Sequence, residues 1–199
     1  MHDIEPFFRW RDYYKAETDE FSPFYNREYS EFYYTQAVYN HLIHPQWDGF
    51  GSDTLYLKIL YADYSSGFAV IEMIGEWNDC LYNDIMFLKR KVIDQLIHNG
   101  VIKFLLIGEN VLNFHSADDG IDYYEEWFME VEEGWIAGLN FQEHVIREIS
   151  DNNLDQFVNF GGDLDYIAWR TLGPQTLFKR VEGILQRRLM PGAPEEDLS

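Results

Sequence analysis

Residues 68–79 read Phe-Ala-Val-Ile-Glu-Met-Ile-Gly-Glu-Trp-Asn-Asp, and this stretch decides the fold. Phe68 to Ile74 is branched and apolar, the pattern of a buried strand, while Gly75-Glu76-Trp77-Asn78-Asp79 reads as a turn that hands the chain to a helix. Upstream, Leu55 to Tyr64 reads Leu-Tyr-Leu-Lys-Ile-Leu-Tyr-Ala-Asp-Tyr, a second strand that Ser65-Ser66-Gly67 joins to the first as a hairpin. Downstream, Leu81, Ile85, Leu88, Val92 and Leu96 recur at helical spacing, with Lys89, Arg90 and Lys91 on other faces and Asn99-Gly100 as the stop.

The alternation continues. Val101 to Ile107 is apolar apart from Lys103, as a strand buried on both sides requires. Ile121, Tyr124, Phe128 and Val131 mark a helix stopped by Gly134, Trp135 to Phe141 a strand, and Val145, Ile146 and Ile149 a short helix over residues 142–150. Residues 156–160 suit a last short strand, and Pro174 opens a helix on Leu177, Val181 and Ile184 with Arg187 and Arg188 near its C-terminal end. Strands alternating with crossover helices predict an α/β fold, a mixed sheet with helices packed on it.

Residues 1–53 are crowded with aromatics and punctuated by Pro6, Pro23 and Pro45. They read as an aromatic N-terminal extension packed on the core. Within it Tyr29, Phe32, Gln36, Tyr39 and Ile43 predict a helix with one aromatic face, which must be buried on the sheet or against a second copy in a homodimer. The expected organisation is this extension, a core domain over 54–160, a C-terminal helical addition over 161–190 and a flexible tail over 191–199.

A hydrophobic fraction of 46% with 18% aromatics separates this chain from disordered proteins of similar charge. A formal net charge of −20 argues against nucleic acid and anionic membrane surfaces as partners, since both demand basic clusters. The lone Cys80 forms no internal disulfide, no Cys/His spacing fits a zinc site, and the N-terminus lacks a signal-peptide pattern, so a cytoplasmic protein without a metal or cofactor is expected.

Over roughly residues 55–160 the chain resembles the STAS domains of anti-sigma-factor antagonists, the SpoIIAA-like fold. Ile74-Gly75-Glu76 resembles the Gly-Glu turn before that family's first helix, with Asn78-Asp79 where an acidic residue follows. Phe114 to Gly120-Ile121 resembles the loop that ends in its Asp-Ser-Ser-Gly-Leu motif, and Val145-Ile146-Arg147 to Asn153-Leu154 resembles its third helix and the following turn. The resemblance implies a bacterial, non-catalytic, regulatory protein–protein interaction module. Switching members of the family carry a phosphorylatable serine before the loop glycine. Here those positions hold Asp118 and Asp119, or Ala117 and Asp118 in the other register, and neither register places Ser116 there. The expected module therefore lacks the standard phosphoserine switch.

The candidate interaction residues are Glu76, Asn78, Asp79, Glu109, Asn110, His115, Ser116, Asp118 and Asp119. Ser116-Ala117-Asp118-Asp119 also fits a capping box for the next helix, with Asp in place of Glu. Glu109 to Glu133 includes nine carboxylates and no Lys or Arg, a solvated acidic face or a docking surface for a protein with a basic surface. Asp118, Asp119 and Asp122 lack calcium-loop spacing. Two alternatives stand beside the module: an enzyme of unknown reaction using Glu76, Asp79 and His115 at strand ends, and a binder of lipophilic small molecules that uses the aromatic excess.

Overall fold

A computed structural model describes residues 4–30, 32–117 and 120–189. Its centre is a four-stranded mixed sheet in the order β3-β4-β5-β6, formed by Leu55–Asp63, Phe68–Asn78, Lys103–His115 and Trp135–Leu139. β3 and β4 form the antiparallel hairpin, and β4, β5 and β6 run parallel. All eleven residues of β4 are buried, because both faces of the sheet are covered.

Helices cover one face. α1 (Asp79–Tyr82) and α2 (Asp84–Leu88) meet at Asn83 in the left-handed region, and a π turn over Lys89–Ile93 links α2 to α3 (Asp94–His98). With α4 (Ile121–Glu130) and α5 (Glu143–Asp151), these helices lay Ile85, Leu88, Val92, Trp127 and Val145 on Ile71, Met73, Phe104 and Leu106. On the opposite face, α6 (Pro174–Leu189) and the segment before it pack Trp169, Leu177 and Val181 with Trp10 against Val70, Leu105 and Ile107. No helix among the described residues is long and apolar enough to cross a membrane.

Four expectations are corrected. Gly75 to Asn78 is strand, not turn: β4 runs on through it because β5 is long enough to pair with it, and Gly75 at φ +116° absorbs the irregularity. The helix expected from Tyr29 to Ile43 is instead a two-stranded hairpin, β1 (Gln36–Val38) and β2 (His41–Ile43), turned by Tyr39-Asn40. Its buried residues, Val38 and Ile43, join Trp47 over Tyr56 and Ile74, so long-range packing overrode the helical spacing of the aromatics. Leu81 of the expected apolar stripe is 73% exposed, while Lys89, expected on another face than that stripe, is buried at 0%. The last strand shrinks to a single bridge between Asn159 and Ala137 after a 3-10 turn at Leu154–Gln156.

Part of the aromatic content packs in the core, while Phe32, Tyr33, Tyr39 and Tyr166 are exposed. Phe7, Trp10 and Trp169 meet edge to face with ring centroids 4.8 to 5.7 Å apart.

Candidate functional site

β4 and β5 end side by side. Their register sets Glu76 against Asn113, Trp77 against Phe114 and Asn78 against His115, so the two connections leave the same end of the sheet. Both connections turn onto the same face of the sheet, where Ile85 and Leu88 after β4 pack in one cluster with Tyr124 and Trp127 after β5.

Glu76 is 6% exposed, and both of its oxygens accept hydrogen bonds. Asn113 Nδ2 donates to Oε1 at 2.8 Å and Tyr39 Oη to Oε2 at 2.5 Å, which ties the N-terminal hairpin to the strand end. Tyr39 itself remains 72% exposed. Asn78 is buried and caps α1, its Oδ1 accepting from Leu81 N at 2.9 Å.

Asp79 lies at 3% exposure and accepts from three donors: Trp77 Nε1 at 3.0 Å, Ile85 N at 2.8 Å and Tyr124 Oη at 2.7 Å. Asp84 reciprocates across the junction, its Oδ2 accepting from Asn78 N at 2.8 Å. Two buried carboxylates thus satisfy the backbone donors where strand becomes helix. Desolvation dominates their titration, raising Asp79 to about 7 and Asp84 above its usual range.

His115 is exposed and Ser116 half-buried at the end of β5. No hydrogen bond or ion pair joins His115 to Glu76, Asp79 or Glu109 among the described residues. Asp118 and Asp119 lie outside the described residues. The capping box that rests on them lies there too, and the residue preceding α4 is Gly120, which has no side chain to offer. Around the buried polar groups stand exposed apolar side chains: Leu81 at 73%, Tyr82 at 38% and Leu112 at 36%.

Glu109 and Asn110 belong elsewhere. Glu109 accepts from Asn140 Nδ2 at 2.8 Å and Trp169 Nε1 at 2.7 Å and pairs with Arg170. Arg170 also reaches Glu72 at 3.2 Å, and Phe7 N donates to Glu72 Oε2 at 2.8 Å. Burial lifts Glu72 to about 7, whereas for Glu109 burial is outweighed by Arg170, Asn140 and Trp169, which hold it below the usual range. Glu72 was missing from the sequence candidates, yet a lone carboxylate inside the apolar run Phe68–Ile74 is the available signal. Asn110 is half-buried in register with Ile74.

Asp94, Glu126 and Glu130 bring one oxygen each within 4.8 Å of the others, the spacing a metal ion would need. Lys89 Nζ occupies that position, 2.8 Å from Glu130 and 3.5 Å from Glu126 and in contact with Asp94, so an ammonium already supplies the cation.

No protein-family model and no curated protein matches the chain. Similar solved structures include a candidate anti-sigma factor antagonist from Thermotoga maritima, at 17% identity and a TM-score of 0.41, over 63% of this chain and 92% of that one. SpoIIAA in its unphosphorylated form gives 14% identity and a TM-score of 0.41, over 65% of this chain and 96% of that one. The Bacillus cell fate determinant SpoIIAA in its phosphorylated form gives 13% and 0.37, over 63% and 98%.

Proposed function

We propose that this protein is a non-catalytic regulatory module that binds another protein at the carboxyl ends of β4 and β5. One contrast carries the reading: Glu76, Asn78 and Asp79 are buried and committed to internal hydrogen bonds, while Leu81 and Tyr39 beside them are 73% and 72% exposed. A general base must reach a substrate proton, and Asp79 has three donors occupying it instead. Exposed apolar and aromatic side chains on a rigid polar base suit a protein interface. Asp118 and Asp119 follow β5 in the sequence and add negative charge, which favours a partner with basic groups. The module would act without a phosphoserine switch, and an exposed, unpaired Cys80 suits a reducing cytoplasm.

The test is affinity purification from the source cell with the wild type and a Leu81→Asp, His115→Ala variant, each checked for unchanged thermal unfolding. A partner retained by the wild type and lost by the variant supports the proposal. An unchanged set of partners rejects this surface.

A further inference from the structure

α6 carries four cationic side chains, Lys179, Arg180, Arg187 and Arg188, in a protein whose formal charge is −20. Arg188 is committed to the carbonyl oxygens of Phe160 and Gly161. The other three line an open groove of about 530 Å³ between α6 and the segment containing Tyr166 and Leu172. Among the described residues Lys179 and Arg180 have no ion-pair partner, and the contact of Arg187 with Asp163 is long, at 3.9 Å, with both side chains largely exposed.

Gly183 lies in the same groove, in the interior of α6. Glycine there costs about 1 kcal/mol of helix stability relative to alanine. Nothing among the described residues requires it: a Cβ built on Gly183 would meet no atom of theirs nearer than Arg187 Nη1 at 3.8 Å. Bare backbone in an open cationic groove leaves room for something outside the chain to approach closely.

We propose that this groove binds an acidic peptide segment of a partner protein. Its carboxylates pair with Lys179, Arg180 and Arg187, and one apolar side chain passes over Gly183 onto Leu172 and Ile184. Arginine forks match carboxylates in a bidentate manner, and Tyr166, 86% exposed, supplies an aromatic rim. Length favours a peptide over a small anion, since Thr176 to Arg187 spans about 16 Å of helix, the reach of about five extended residues. Repulsion from the strongly negative remainder of the chain penalises acidic segments that miss the groove, which sharpens selection. The groove shares no residue with the strand-end site, so the two proposals stand or fall separately.

Fluorescence anisotropy of a labelled Glu-Asp-Glu-Leu-Glu-Asp hexapeptide, titrated with the 199-residue chain, tests the proposal. The expected result is saturable binding, weakened at least about tenfold by Arg180→Glu, by Gly183→Leu and by replacing the peptide's leucine with serine, and unaffected by Leu81→Asp. Unfolding transitions of the variants are compared with the wild type, and Lys179→Gln with Arg180→Gln replaces any variant that fails to fold. Absence of saturation by about 1 mM peptide, or equal affinity for both Gly183→Leu and the wild type, overturns it. So does competition by inorganic phosphate or ATP at concentrations matching the peptide, which would reassign the groove to a small anion.

Discussion

Tyr124 Oη donates a 2.7 Å hydrogen bond to Asp79 Oδ2, linking the first turns of α4 to the end of β4 inside the protein. Tyr124 is 4% exposed and Asp79 3%, so water cannot replace either partner. Tyr124→Phe therefore removes a buried donor and leaves an acceptor short. We expect a loss of about 1–3 kcal/mol in urea unfolding, with the slope of the transition unchanged.

The pH dependence follows from the same burial. Asp79 and Glu72 are raised to about 7 in the folded chain, above the ordinary carboxylate values that apply once it unfolds. The folded state thus holds extra protons between those limits. The stability they contribute is complete below about pH 4 and is lost as pH rises through about 7, at up to ~1.4 kcal/mol per pH unit for each group. Relief of self-repulsion in this acidic chain acts in the same direction, so the variants isolate the effect. Asp79→Asn and Glu72→Gln should each flatten the rise of melting temperature on acidification from pH 8 to pH 5, and a slope equal to that of the wild type would refute the assignment.

Lys89 is held without exposure among Asp94, Glu126 and Glu130, while these carboxylates are 33% to 39% exposed. Lys89→Met fills about the same volume but leaves Glu130 without a cation beside Asp94 and Glu126, which Arg90 still pairs at 3.2 and 2.6 Å. Because they are partly solvated, the expected cost is about 1–3 kcal/mol, below that of breaking a fully buried pair. Added salt should recover part of it by screening the repulsion, as measured by unfolding at 0.02 and about 0.5 M ionic strength.

Gly75→Ala should be the most damaging small substitution in the hairpin. The added Cβ would sit 2.1 Å from the Thr54 carbonyl oxygen, and φ is +116°. With contact and backbone both unfavourable, a loss of about 3 kcal/mol or more is expected, visible as a lowered midpoint in denaturant.

Particular residues show what could be read from the chain alone. Ile85, Leu88, Val92 and Leu96 reveal their helix face because apolar spacing is a local property, and the hairpin of β3 and β4 is marked by Ser65-Ser66-Gly67. Tyr29 to Ile43 misled because the same spacing occurred in a segment whose neighbours, Trp47, Tyr56 and Ile74, favoured a hairpin. At the site, adjacency of Glu76 and Asn78 to the end of β5 follows from strand order, whereas the inward direction of Glu76, Asn78 and Asp79 does not. Gly75 suggested a turn, yet its left-handed conformation serves a strand that continues.

From β3 to β6 the order of strands and helices was legible in the sequence, since turn chemistry and apolar period act over a few residues. Which charges are withdrawn from water was decided only by the tertiary structure. Phe7 comes to Glu72 across 65 residues, Tyr124 to Asp79 across 45 and Glu130 to Lys89 across 41. Burial of a charge depends on partners that only the assembled layers bring within hydrogen-bond distance.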